Sequence, residues 1–240
     1  MSVLMEATNL AIEGRLEPTS LTLNSGDFVA LIGPNGSGKT SLLHALSLIP
    51  PATGEVRIAG KDPRGMHPHA RQRLFSFLPA GRGIVWPLKA RDVINLGLPP
   101  GSDWTLPAQR FELDPLLDRR MDRLSTGERS RVMIVRALAP NPQLFLMDEP
   151  IANLDPHWQL VALDELRRVA AEDGRAVLFA VHDLRAAIER CDRLIVMDRG
   201  KLAADTTAEQ FRTSHLMEKV FEVQLAAGQL KLPEDRRSSL

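Results

Sequence analysis

FVALIGPNGSGKTSLLHALSL, residues 28–48, decides the fold. Five apolar residues read as a buried strand. Three glycines and a lysine follow within eight residues, and SLLHALSL then has the texture of a helix. Glycine permits backbone angles and close approaches that other residues resist. A loop so composed turns successive N–H groups inward as an anion-binding nest. A helix starting near Lys39 adds unsatisfied N–H groups and a positive dipole end. The G-x-x-x-x-G-K-[ST] pattern predicts that Lys39 reaches the β- and γ-phosphates of a nucleoside triphosphate and that the Thr40 hydroxyl ligates Mg²⁺. The expected cradle is Gly33, Pro34, Asn35, Gly36, Ser37, Gly38, Lys39, Thr40 and Ser41.

A second stretch, LFLMDEP at 144–150, supplies carboxylates. Its continuous apolar run suggests a central parallel strand covered on both faces, and ligands of open α/β sheets bind where such strands end. Asp148 is placed to hold Mg²⁺. Glu149 is the candidate general base, polarising a water for attack on the γ-phosphate.

Composition bounds the setting. The 240 residues suffice for one large domain. Lys+Arg and Asp+Glu are both 30, which gives no basic bias toward nucleic acid or anionic membrane. One cysteine, Cys191, excludes an intramolecular disulfide and fits a reducing compartment. MSVLMEATNL lacks the basic start of a signal peptide. No apolar run approaches the roughly 20 residues that span a bilayer, so a membrane role would come through a partner.

Strands alternate with helices, the pattern of an α/β domain with a mainly parallel core sheet. SLTL, FVALIG, EVRIAG, FSFLP, QLFLMD, AVLFAVH and RLIVMDRG read as strands; helices are expected at 39–48, 126–139, 157–172 and 183–190. Ser125 with Glu128 three residues on has the capping-box pattern. Residues 88–122, rich in proline and glycine, read as a short helical subdomain between core segments 1–87 and 123–230. The charged end, 231–240, reads as a flexible tail.

LSTGE at 124–128, followed by RSRVMIVRALAPNPQLFLMDEP, resembles the signature motif of the ABC-type transporter ATPases. ANLD at 152–155 is similar to that family's D-loop, and VHD at 181–183 to its switch motif. The resemblance runs over essentially the whole chain. It implies a P-loop ATPase fold with an N-terminal antiparallel β region, and ATP and Mg²⁺ as ligands. It also implies a head-to-tail dimer formed on ATP, each nucleotide lying between one phosphate loop and the other subunit's signature. Ser125, Gly127 and Asp155 would then act across the dimer, while Glu149, His182 and Lys39 are the catalytic candidates. The implied partners are transmembrane permease subunits, with a periplasmic binding protein behind them, and the implied place is the cytoplasmic face of the cell membrane.

VINLGLPP at 93–100 and SHLMEKVFEVQL at the end resemble the branch that imports iron–siderophores, haem and cobalamin, the latter as a helix leading into a final strand. An exporter ATPase shares every nucleotide motif. A weakly active regulatory subunit is a further alternative, raised by Ala80, which stands where the family's Q-loop has glutamine. A soluble ABC protein of translation or DNA repair would usually carry tandem domains or a long coiled-coil insertion, and neither occurs here. The segment NLAIEGRLEP offers no aromatic to stack on adenine, so weak base selectivity is expected, with Arg15 the only cation there.

Overall fold

The computed structural model describes residues 2–81, 87–226 and 229–231. At its centre lies β3, Phe28–Ile32, buried at every position. It pairs in parallel with β7, Ala176–Ala180, on one side and with β8, Arg193–Asp198, on the other. β6, Leu144–Asp148, and then β5, Phe75–Leu78, extend the sheet in parallel beyond β7. The hairpin strand β9, Lys201–Thr207, closes the other edge antiparallel to β8, giving the order β5-β6-β7-β3-β8-β9.

Both faces of this sheet are covered, which explains the unbroken apolar runs. Phe28, Ala30 and Ile32 join one core cluster; Val29 and Leu31 join the other. The second face packs against α1, Lys39–Leu46, and a three-stranded antiparallel sheet. That sheet has the order β2-β1-β4, from β1 (Val3–Ile12), β2 (Leu16–Asn24) and β4 (Thr53–Ile58). α2, Pro68–Leu74, leads into β5 on this side.

The first face carries the two longest helices, α5, Thr126–Leu138, and α6, Pro156–Asp173, with the shorter α7, Leu184–Arg190. α6 buries Ala162, Leu163, Leu166, Val169 and Ala170, a stripe at helical spacing. Between β5 and α5 the described residues form short elements, α3, Ala90–Asn95, α4, Thr105–Arg110, and two 3₁₀ turns at Asp114–Leu116 and Met121–Arg123. Val93, Ile94, Phe111, Leu113 and Met121 from this stretch join the same cluster as the sheet's first face. Two charged links reinforce it. Arg110 of α4 pairs with the buried Glu165 of α6, which Arg168 also holds at 3.1 Å. Arg131 lies 4.0 Å over the Trp158 ring and donates to Phe111 O.

The expected strands and the four expected helices are all present, their ends within two residues of expectation except at SLTL, whose strand β2 starts four residues earlier. The sequence reading missed β1 as an element. Its alternation is broken by register shifts between Ala7 and Leu10 and between Leu10 and Ile12, with Asn9 at φ 51°, so period two is lost midway. β9 was missed as well, because a half-exposed edge strand carries little apolar signal. After β9 come α8, Ala208–Thr213, and α9, Leu216–Phe221; the expected single final strand is a hairpin, β10 (Gln224–Ala226) with β11 (Gln229–Lys231). Residues 232–240 of the expected tail lie outside the described residues.

Candidate nucleotide-binding site

All five parallel strands end on one edge, and the chemistry-bearing residues follow those ends. Beyond β3 the chain turns through Gly33–Gly38 into α1. A Cβ on Gly33 would lie 2.3 Å from Met197 O and 2.5 Å from Ser37 Oγ, so only glycine fits there. Gly38, at φ 101°, caps α1, and a Cβ there would stand only 3.2 Å from Gly200 Cα and 3.3 Å from Arg15 O. Ser37 N–H donates to Pro34 O, and Gly200 N–H to Ser37 O, tying the loop to the β8–β9 turn.

Within this cradle Lys39 is buried, and its Nζ donates to Gly33 O at 2.8 Å and Pro34 O at 3.1 Å. Burial pulls the Lys39 pKa below its ordinary value, against the opposing pull of Glu149 and Asp148. Thr40 Oγ1 donates to Asp148 Oδ2 at 2.7 Å, joining the start of α1 to the end of β6. Asp148 is almost fully buried, and burial raises its carboxyl pKa, with Glu149 adding to the rise and the Thr40 hydrogen bond opposing it. Its Oδ1 is buried and makes no hydrogen bond. A buried carboxylate oxygen without a donor, beside a hydroxyl at a phosphate cradle, is the hard-oxygen donor set that suits Mg²⁺. Among the described residues no group of three or more His, Cys, Asp or Glu forms a metal cage.

Glu149 follows with φ 52°, a left-handed conformation unusual for a side chain of its size. Its N–H donates to Ala180 O at 3.2 Å, so the end of β7 sets its orientation. The His182 ring Nε2 hydrogen-bonds Glu149 Oε1. His182 is placed by Val181, whose N–H donates to Leu31 O, and by Asp183, which caps α7 through Arg185 N and Ala186 N.

Asn35–Ser41, Glu149 and His182 line one open cleft of about 960 Å³, and Asp148 lies behind it, bonded to Thr40. The far wall of the cleft is the β1–β2 turn, Ala11–Pro18, within the segment 9–18 weighed above for adenine, together with Arg199 and Gly200, which sequence reasoning did not identify as site. Pro34 lines a neighbouring cleft instead, with Asn35–Ser37 and the end of α9.

Ser125, Gly127 and Asp155 do not line the cleft. They gather elsewhere: a Cβ on Gly127 would lie 3.4 Å from Asn153 O, so the start of α5 adjoins the loop before α6. Ser125 caps α5 in a full capping box, accepting from Glu128 N while its own N–H donates to Glu128 Oε2 at 2.7 Å. Asp155 caps α6, accepting from Trp158 N at 3.0 Å. Ala80 lies two residues past β5, whose Leu78 pairs with Met147, and so stands beside the end of β6. Its methyl group carries no donor or acceptor. Residues 82–86 of that loop lie outside the described residues.

A P-loop after the central strand, a carboxylate pair after its neighbour but one, and a capped signature helix define an ATP-binding cassette. The family model for ABC transporters matches residues 16–152, more than half of the chain. The hemin import ATP-binding protein of Mesorhizobium japonicum is 35% identical, with 85% of this chain and 84% of that protein aligned. The lipopolysaccharide export system ATP-binding protein of Haemophilus influenzae is 32% identical over 84% of this chain and 88% of its own. A solved ATP-binding subunit of an ABC transporter superposes with TM-score 0.76 at 27% identity, covering 88% of this chain and 92% of that one. The chain belongs to the ABC transporter family, as one of its ATP-hydrolysing cassettes. Among the described residues no helix is long and apolar enough to cross a membrane.

Proposed function

We propose that the protein binds Mg·ATP in the cleft at the ends of β3, β6 and β7, and that two copies close head to tail on it to drive a membrane permease. The observation that carries this is the division of the site. Lys39, Thr40 and the base Glu149 share one cleft, with Asp148 bonded to Thr40 behind it, whereas Ser125, Gly127 and Asp155 lie outside that cleft, where a second copy could bring them to the nucleotide. A closed two-fold pair is the simplest assembly that joins such surfaces.

In this reading Lys39 exchanges its bonds to Gly33 O and Pro34 O for the β- and γ-phosphates, and the loop N–H groups and α1 N-terminus hold the anion. Thr40 and Asp148 would hold Mg²⁺, which would supply charge to offset the phosphates. Glu149 accepts a proton from water as its oxygen bonds to the γ-phosphorus; the bond to the β-phosphate breaks, leaving ADP and phosphate. His182 orients Glu149 and hydrogen-bonds the γ-phosphate. The Ser125 cap uses an oxygen lone pair, which leaves the hydroxyl proton to donate to the partner's γ-phosphate.

We take residues 88–122 as the helical unit that meets the permease on the cytoplasmic face of the membrane. We infer import of a metal chelate (haem, iron–siderophore or cobalamin), supported by the likeness to a hemin importer. The likeness to a lipopolysaccharide export protein supports export as the second reading. Glu149→Gln should keep ATP affinity within a few-fold and lower turnover by roughly a hundredfold or more, because water positioning and the base are lost together. Wild-type turnover in Glu149→Gln removes the base assignment. Chelate-stimulated ATPase in permease vesicles decides between import and export.

A further inference from the structure

Ser125 can serve a second copy only where the start of α5 is held in place. The 3₁₀ turn Met121–Arg123 delivers the chain to the Ser125 cap through Leu124. Both carbonyls on that path are bound by arginines. Arg119 Nη2 donates to Arg123 O at 2.9 Å, and Arg129 Nη1 donates to Leu124 O at 3.0 Å. Arg129 belongs to α5 itself, whereas Arg119 reaches in from the unit before it.

The second nitrogen of the Arg119 fork, Nη1, donates to Glu128 Oε1 at 3.0 Å, while Glu128 Oε2 accepts from Ser125 N at 2.7 Å. One carboxylate thus joins Arg119 to Ser125, and a planar guanidinium spans the turn and the cap at once. The main chain of Arg119 is anchored as well. Its carbonyl accepts from Ala90 N at the start of α3, at 3.0 Å, and its N–H donates to Leu116 O at 2.9 Å. The capping box is complete without Arg119, and an ion pair as exposed as this one adds little to folding stability. What the fork supplies is direction, because it fixes the carboxylate and the entering carbonyl relative to α3.

We propose that Arg119 is a positioning residue for ATP turnover: through Glu128 and Arg123 O it holds the Ser125 hydroxyl where the partner copy's γ-phosphate arrives. This rests on the head-to-tail reading above and adds to it the residue that aims the donated hydroxyl. A defect at Arg119 is therefore felt in the partner's phosphate cradle and not in its own.

Mixed dimers test this. Lys39→Ala in one copy silences that copy's cradle, leaving one working site built from the other copy's cradle and the first copy's Ser125. Arg119→Ala added to the copy that carries Lys39→Ala should lower ATPase by about 10- to 100-fold, the scale of a misplaced positioning group. Placed in the other copy, it should leave the rate within about twofold, because its fork then serves the silent site. In the homodimer, Arg119→Ala should keep the ATP affinity and the urea midpoint, since the cradle is untouched and the pair is half-exposed. Arg119→Lys, with one ammonium for two acceptors, should recover part of the turnover. Equal loss in either copy, or a loss accompanied by a lower urea midpoint, overturns the positioning role in favour of a structural one. Unchanged turnover in every combination overturns it as well. Absence of ATPase in the control dimer, Lys39→Ala in one copy and Ser125→Arg in the other, overturns the head-to-tail reading itself, a result distinct from the others.

Discussion

Gly33→Ala is the sharpest test of the cradle. The added methyl would stand 2.3 Å from Met197 O and 2.5 Å from Ser37 Oγ, more than 1 Å inside ordinary contact. Neither neighbour can yield cheaply. Met197 belongs to β8, paired with β9 and next to β3, and Ser37 is buried with its carbonyl held by Gly200 N–H. The loop must therefore move, and overpacking of this kind costs about 1–3 kcal/mol. A shift of about 1 Å in positioning groups lowers turnover on the order of a hundredfold. Gly36→Ala is the internal comparison: nothing lies within 4 Å of its Cβ, and only φ 77° opposes it, at about 1–2 kcal/mol. Urea unfolding and ATPase rate on both variants separate collision from backbone strain. If Gly33→Ala turns over within about threefold of wild type, the close approach is not what shapes the cradle.

Three further outcomes are expected. A mixed dimer with Lys39→Ala in one copy and Ser125→Arg in the other should keep one composite site intact, with ATPase retained; complete loss of activity would deny the head-to-tail pairing. Burial raises the Asp148 pKa, so the folded apo protein holds this proton more tightly than the unfolded chain does, and the stability it contributes is lost as pH rises from the ordinary carboxylate value through the raised one. Binding of Mg²⁺ should accordingly release a proton and weaken as pH falls through that raised value, with Asp148→Asn abolishing the pH dependence in Mg²⁺ titrations. Glu165→Ala strands Arg110, about a third exposed, while Arg168 keeps Glu172 and Asp173, and should cost about 1–3 kcal/mol in denaturant unfolding; an unchanged midpoint would show that this link contributes nothing.

The sequence by itself determined the nucleotide half of this protein. GPNGSGKT, LFLMDEP and the capping pattern of LSTGE are local: each is set by backbone geometry, strand burial or helix capping within a few residues, and each stands where the spacing placed it. The apolar runs of β3, β6 and β7 were legible because burial on both faces leaves no room for polar residues. β1 was not, because its bulges interrupt the alternation that marks a strand. Only the tertiary structure decided which ends meet. Thr40 and Asp148 are 108 residues apart and joined by one hydrogen bond. Glu149 takes its orientation from β7, and Arg15 enters the cleft because an antiparallel turn is held against Gly38 and Gly200. Those contacts depend on the order of strands in the sheet, which no local pattern of residues encodes.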